Sequence, residues 1–580
     1  MSSTTPPKHR RVSPLLLRGV FVVVVSLVSA ALVAPFYMAR HKADPVSGQT
    51  SRLLSTHDMA AHFGVMESFD KMLRAGIAYP RWLADMNRGY GSATTNYYPP
   101  GFYYLTSLVN LVFGNWVNTL FAISVLVLAG SGLAFYQLSR LFAGKAASIV
   151  GSLVYMLLPY HLLDLYWRGA LPEYVSFAIM PLCFYFAFKV GAEGRGRDYA
   201  GLAITHALFL MTELPIGYLA TYVMAFYAIA WGIKERRVMA PIRIAAGLGL
   251  GLTVSAIYWL PAALEQQYAF EWATALFPYH KTYITLLEGK EAFDSLINAT
   301  FVFQVVMLAA AIFVLRHKPR SADGPELKGE KRSDRIIQGN LWILMAVVTT
   351  FMATSFSIYI SKLIPKIQVA NPAWRWLALA ALFTALVLAF ALEHVRPDRQ
   401  DPTWRIWTLR GVLAASVAMN LVLSAKSVVL AALDNPSLSM STIGIETAYT
   451  PRGSTPPDKM PDVPLAWIER APGTAEVRLW EPEQREIWTD SAGGDLKLKT
   501  YNFQGWTARI DGRAADVLRD FNGLQTISLP PGQHKVEVRF EDTPPRQAGR
   551  AISCAGILVV CSLWVGGYLR MRKRRSTRTG

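Results

Sequence analysis

The stretch His57-Asp58-Met59-Ala60-Ala61-His62 places one carboxylate and two imidazoles close together. Asp58 and His62 are four apart and share a face of any helix formed here. Met59, Phe63, Met66 and Leu73 form an adjacent apolar stripe, which would lay that helix against a bilayer surface or other helices. A carboxylate held at such a boundary is partly desolvated and suited to take a proton from a hydroxyl. Two other readings stay open. Asp58 caps or solvates a surface helix, which spacing alone favours, or His57, Asp58 and His62 hold a divalent metal.

Two further clusters set cations beside aromatic rings. Tyr166-Trp167-Arg168-Gly169-Ala170-Leu171-Pro172-Glu173-Tyr174 reads as a tight hairpin between apolar runs. There Arg168 can grip a phosphate bidentately, with Glu173 as a second carboxylate. Alternatively the two form a local ion pair in an aromatic belt. Gln368-Val369-Ala370-Asn371-Pro372-Ala373-Trp374-Arg375-Trp376 puts Arg375 at the mouth of an apolar run, to bind a lipid phosphate or to snorkel. Glu213 lies at a helix end before Pro215, and His206 lies within an apolar run. Ionisable groups at membrane depth are functional candidates.

The elements that must position these residues are membrane helices. The chain has 580 residues, of which 52% are hydrophobic and 17% charged, against about 25% charged in soluble domains. Its mean hydropathy is +0.26. Apolar runs near 15–37, 116–139, 146–165, 174–190, 199–213, 217–233, 241–262, 298–315, 338–355, 374–392, 408–430 and 550–569 are each close to the length a bilayer requires. About twelve spans are therefore expected. The net charge of +18 comes from basic clusters between these runs, at Lys8, Arg10 and Arg11, then 140–145, 189–197, 234–243, 316–335, 394–410 and 570–578. All fall on one side if the runs alternate, which is the positive-inside pattern and not a nucleic-acid surface. Both termini are expected in the cytoplasm. The first run is longer than a 7–15-residue signal core, so an uncleaved anchor is expected.

This parity places 38–115, 263–297 and 431–548 outside. The expected division is a basic cytoplasmic segment 1–14, a membrane domain 15–430 with a large outer loop 38–115, an outer β-rich domain 431–548, a final span 549–569 and a basic tail 570–580. Phe102 to Phe113 is too short to span and reads as an interfacial helix. Leu496–Thr500, Trp506–Ile510 and Lys535–Phe540 alternate with period two, and Asp511-Gly512 reads as a hairpin turn, so a small β-sandwich is expected. Its Trp506 and Trp488 can stack on sugars but suit a core better.

Other signals are weak. Gly247, Gly249 and Gly251 follow no strand and suit close helix packing. Asn298-Ala299-Thr300 matches a glycosylation sequon beside a span. Cys183, Cys554 and Cys561 lie in apolar runs, which fits neither a disulfide framework nor a thiolate zinc site. No phosphate-binding loop or Gly-x-Ser-x-Gly elbow is present.

The run His57-Asp58, His62, Gly76, Tyr79-Pro80-Arg81-Trp82, Gly89-Tyr90-Gly91, Tyr97-Tyr98-Pro99-Pro100 and Tyr103-Tyr104-Leu105 resembles the 6-pyruvoyl-tetrahydropterin synthase-related bacterial membrane proteins. Pro159-Tyr160-His161, Arg168-Gly169-Ala170 with Glu173, Pro181-Leu182, Leu260-Pro261-Ala262 with Glu265, and Gln368 with Pro372, Trp374 and Arg375 fit the same pattern. Gly505-Trp506, Asp511-Gly512, Gly523-Leu524, Leu529-Pro530, Gly532, His534, Val536 and Thr543-Pro544 resemble the terminal domain of YfhO-like membrane proteins. The chain lacks the zinc-ligand set of the soluble pterin synthase, and that activity is not expected.

The architecture resembles GT-C glycosyltransferases. The resemblance implies a polyprenyl-phosphate-linked sugar donor and transfer to a glycan or lipid acceptor on the outer face of the inner membrane. Asp58 would be the catalytic acid residue, acting as base. His57, His62, Arg168, Glu173 and Arg375 would contact substrate or donor phosphate. No cofactor is required by this reading, although a divalent metal is compatible with it. Asp58 lies about twenty residues beyond the first run, further than is usual in that class, so Asp70 and Asp85 compete for the role. The competing functions are a lipid or polymer transporter and a non-catalytic envelope-assembly scaffold.

Overall fold

A computed structural model of the chain describes residues 14–38, 56–236, 238–269, 282–285, 292–316, 329–394, 403–434 and 449–579. Lys8, Arg10 and Arg11 lie outside the described residues. So do positions 39–55 of the first outer loop, most of 270–291, and 435–448. Most of the basic segments expected at 316–335 and 394–410 also fall outside them or have no described side chains.

All twelve apolar runs fall on helices. Among the described residues seven helices are long and apolar enough to cross a membrane: Trp116–Ser139, Lys145–Arg168, Leu171–Glu193, Leu214–Glu235, Phe293–Arg316, Ala373–Glu393 and Pro544–Gly567. The pair Met239–Val254 and Ala256–Tyr268, bent by 75°, makes up to eight. The helices at 14–38, 196–212, 329–352 and 403–434 fall short of that length and apolarity over their described residues. The Trp376–His394 helix is the central column. Every residue from Trp376 to Ala391 is buried, as expected of a helix that is apolar all round.

The short Phe102–Phe113 stretch forms the helix Gly101–Phe113 and ends at Gly114 in the left-handed region. Leu108, Leu111, Val112 and Phe113 stay exposed on one side. Before it, the helix Met59–Arg74 buries Met59, His62, Phe63, Met66, Phe69 and Met72 on one stripe, at the three-and-four spacing that defines an amphipathic face.

Residues 466–540 form two antiparallel sheets. β1 (Ala466–Glu469), β4 (Gly494–Tyr501), β8 (Leu524–Leu529) and β7 (Leu518–Arg519) form one sheet in the order β1-β4-β8-β7. β2 (Gly473–Glu481), β3 (Gln484–Ser491), β9 (Gly532–Phe540), β5 (Trp506–Ile510) and β6 (Arg513–Ala515) form the other in the order β2-β3-β9-β5-β6. Ile487, Leu496, Leu498, Ile527, Val536 and Val538 fill the shared core. Asp511-Gly512 joins β5 to β6 with φ of 49° and 80°, the positive pair a two-residue hairpin needs. Trp506 is buried and Trp488 is half exposed.

The β-domain core is completed from a distant part of the chain. Trp82 is fully buried against Phe503, Trp506 and Phe540, with ring centroids 6.1, 5.7 and 5.8 Å away. Tyr90 packs on Tyr501 and accepts the Tyr501 N–H at 2.9 Å through its carbonyl. Gly91 takes φ 83° with the Trp82 indole directly against its Cα, so no side chain fits there. Arg546, at the base of the last helix, is fully buried. It donates through Nε and Nη2 to Glu265 Oε2 at 3.1 and 2.9 Å, and through Nη2 to the Gln504 carbonyl at 2.9 Å. The Thr543 hydroxyl takes the other Glu265 oxygen. Tyr97 donates to the Glu265 carbonyl at 2.8 Å, and Tyr258 donates to the Tyr97 carbonyl at 2.7 Å. Residues 80–97, the bent pair and the β-domain therefore meet at one end of the helical bundle.

Candidate functional site

At this end of the bundle, side chains from four separate segments form one ionic cluster. Asp164 and Arg168 stand four apart in the last, π-wound turn after Pro159, so Arg168 Nη1 reaches Asp164 Oδ1 at 2.6 Å. The turn stops at Gly169, with φ 59°. Its Cα also lies so close to Thr56 and Met59 that a Cβ would collide with the Thr56 side chain. Glycine thus lets the hairpin bring Arg168 against the start of the Met59–Arg74 helix. The Asp58 N–H donates to the Arg168 carbonyl at 2.9 Å. Asp58 Oδ2 then lies 3.7 Å from Arg168 Nη2.

Glu173, in the first turn of the next helix, is the hub. Its Oε2 accepts from Arg168 Nη1 at 2.5 Å and from Arg375 Nε at 2.9 Å, and its Oε1 accepts from the Tyr160 hydroxyl at 2.7 Å. Arg375 Nη1 donates to the Asn371 carbonyl at 2.5 Å, and Nη2 lies 3.5 Å from Glu213 Oε1. Arg168 and Glu173 are only 3% and 1% exposed. The Asp58 side chain is 42% exposed. Two guanidiniums thus face four carboxyl groups, and one of the four stands open at the rim.

The expected residues divide clearly. Asp58, Arg168, Glu173 and Arg375 are joined in one series of contacts. His57 is exposed and sets its ring edge-on to Phe293 at 4.9 Å. His62 is buried among Tyr98, Phe102 and Tyr103, with Nδ1 3.3 Å from the Tyr103 hydroxyl. Burial pulls its pKa down to about 4, so it is neutral at neutral pH and cannot offer a cation to a phosphate. Tyr98 is pushed well above its ordinary range by burial and then by Glu213. The competing acids are engaged elsewhere. Asp70 pairs with Arg74 at 2.8 Å, and Asp85 pairs with Lys71 at 3.1 Å. Neither joins the cluster by an ion pair among the described residues.

Sequence reasoning passed over Asp164, placed Tyr160 in the family pattern without giving it a role, and left Glu213 outside the expected set. Asp164 was signalled by its four-residue spacing to Arg168 within an apolar run. Glu213 is buried, and its two carboxylate oxygens accept no hydrogen bond among the described residues. His206 is satisfied by Thr221 at 2.9 Å and the Leu248 carbonyl at 3.2 Å. Gly251 packs directly against it and Gly247 against Leu202, the close helix approach expected of those glycines. Among the described residues no group of three His, Cys, Asp or Glu side chains is arranged to hold a metal.

Comparison with solved structures finds arabinofuranosyltransferase AftD from Mycobacteria, at 17% identity and a TM-score of 0.42, over 71% of this chain and 26% of that one. This chain thus spans about a quarter of AftD's length. It also finds ArnT from Cupriavidus metallidurans bound to undecaprenyl phosphate, at 13% identity and a TM-score of 0.42, over 72% of this chain and 77% of that one. No curated protein matches significantly. The family model for the 6-pyruvoyl-tetrahydropterin synthase related domain, a membrane protein family, matches residues 95–433. That is more than half of the chain and includes Tyr160, Arg168, Glu173, Glu213 and Arg375, so the protein belongs to the 6-pyruvoyl-tetrahydropterin synthase-related membrane family.

Proposed function

We propose that the protein is a membrane glycosyltransferase of the GT-C kind, with Asp58 as its general base. It would move a sugar from a polyprenyl-phosphate donor to a glycan or lipid acceptor of the cell envelope. The carrying observation is the open carboxylate of Asp58 at the rim of an otherwise buried ionic cluster. In this reading the protein sits in the inner membrane with both termini cytoplasmic, and the cluster faces the other side.

The acceptor hydroxyl attacks the anomeric carbon and gives its proton to Asp58. The bond from that carbon to the phosphate oxygen breaks, and the phosphate leaves with the electron pair. Arg375 is the less buried of the two guanidiniums, and among the described residues its Nη2 has only the 3.5 Å ion-pair contact to Glu213. It is the group able to meet the leaving phosphate. Arg168 instead holds Asp58, and Glu173 ties the two arginines together. His57 lies near enough to the rim to contact substrate, and His62 shapes the wall behind Asp58.

The test is turnover by the purified chain in nanodiscs with polyprenyl-phosphate sugars, comparing wild type with Asp58→Asn. Unchanged turnover in the variant removes Asp58 as the base. Absence of turnover with every such donor favours the transporter or scaffold.

A further inference from the structure

A second charged site lies outside the cluster, between the first inter-helix segment and the β-domain. A cleft of about 280 Å³ is lined by Met72, Ala84, Asp85 and Gly89 on one side and by Leu465, Trp480, Glu481, Pro482, Arg485 and Lys499 on the other. Trp480 and Arg485 are direct cross-strand partners in the β2–β3 pair. The Arg485 guanidinium lies over the Trp480 ring at 4.3 Å and within 5.3 Å of the Trp506 ring.

The charges of this cleft are not equally satisfied. Asp85 is held by Lys71 at 3.1 Å, and Lys499 is held by Asp462 at 3.0 Å. Glu481 is exposed at the rim. Arg485 is 2% exposed and forms no ion pair among the described residues. Its Nη1 donates to the Gln484 carbonyl at 3.2 Å, while its buried Nε has no hydrogen-bond partner among the described residues. Burial alone, with no carboxylate to offset it, pulls its pKa down to about 10, so it remains a cation at neutral pH. A buried, unpaired charge is destabilising. A fold that needed only packing between two tryptophans would be served better by a methionine or leucine.

We infer that this cleft is an anion-binding site, in which Arg485 takes the carboxylate or phosphate of a polar ligand against the Trp480 wall. The inference does not rest on the glycosyl-transfer reading, because it uses none of the residues of the ionic cluster.

The experiment uses the full chain in nanodiscs of uncharged lipid. Melting temperature and tryptophan fluorescence are followed while galacturonate oligomers, malto-oligomers of equal length, or inorganic phosphate are added. The expected result is saturable binding of the galacturonate oligomer and none of the neutral oligomer. Arg485→Met should weaken that binding at least about tenfold without lowering the melting temperature. Phosphate that displaces the galacturonate oligomer assigns the subsite to the anionic group alone. Phosphate that binds without displacing it overturns the site, as does equal binding of the two oligomers. Unaltered binding by Arg485→Met also overturns it. Should Arg485→Met fail to fold, the wild-type chain decides the matter. A saturating rise in melting temperature with phosphate, absent with chloride at the same ionic strength, supports the site, and an equal response to chloride overturns it.

Discussion

Two sites at the same end of this molecule set buried arginines against glutamates, and they are built differently. At the base of the last helix, Arg546 and Glu265 form a closed pair. Both are buried, and the remaining donors and acceptors go to Gln504, Glu541 and Thr543. Around Glu173 the count is unequal. Four carboxyls surround two guanidiniums, the Glu213 carboxylate is left without hydrogen bonds among the described residues, and Asp58 is open. A closed pair is what a joint between segments needs, since each desolvated charge must be matched. An unmatched cluster with one open member is what proton transfer or an incoming charged group needs, because a saturated one has nothing left to offer.

The largest expected effect separates these roles. Asp58→Asn should lower turnover by about 100- to 10,000-fold and leave the melting temperature near that of wild type. A melting temperature that falls together with activity would put Asp58 in the same class as the joint. Next, Glu265→Gln leaves the buried Arg546 cation without its counter-charge and should cost up to about 3–5 kcal/mol of stability. Thermal melts in detergent read this, and the activity of the fraction that stays folded should be unchanged. A selective loss of turnover with full stability would reverse the assignment.

A pH titration bears on the aromatic wall of the cluster. His62 is held neutral, with its pKa near 4 against 6.5 for the free imidazole. The unfolded chain therefore binds the extra proton first. Stability contributed here is complete above about pH 6.5 and is lost as pH falls towards 4, by at most about 3 kcal/mol. His62→Phe should flatten that part of the stability–pH curve, and an unchanged curve would show that His62 is not the group. The smallest effect is expected from Gly169→Ala. The positive φ costs about 1–2 kcal/mol, and the collision with Thr56 adds to it. Since this glycine sets Asp58 beside Arg168, turnover should drop by more than stability does, measured on the same preparation.

Local pattern in the sequence carried much of this architecture. The twelve apolar runs are helical because each can satisfy its own backbone and bury an apolar surface. The alternating strands and the Asp511-Gly512 turn are legible because period two and positive φ are properties of neighbouring residues. Within the cluster, Asp164 and Arg168 were readable by the same logic. Glu173 and Arg375 were each visible, but not their contact, which joins positions 202 apart. The sharing of Glu173 by two arginines follows from how the helices cross, and no spacing rule encodes that. Trp82 is the strongest case. In the sequence it stands out only as part of the family pattern Tyr79-Pro80-Arg81-Trp82, yet its ring belongs to a β-core built from residues far along the chain.

That arrangement also orders events during synthesis. Trp82, Tyr90 and Ala93 emerge from the ribosome long before Phe503, Trp506 and Phe540, which enclose Trp82. At about 5–20 residues per second, the wait is roughly 20–90 s. For that time the indole has no partner in its final core, and the nascent chain must shelter it against lipid, a chaperone or its own helices. The β-domain, in turn, cannot finish its interior from its own residues. Expressed alone, it would present the vacant Trp82 position as an apolar hollow, and we expect it to aggregate unless a peptide covering residues 80–97 is supplied with it.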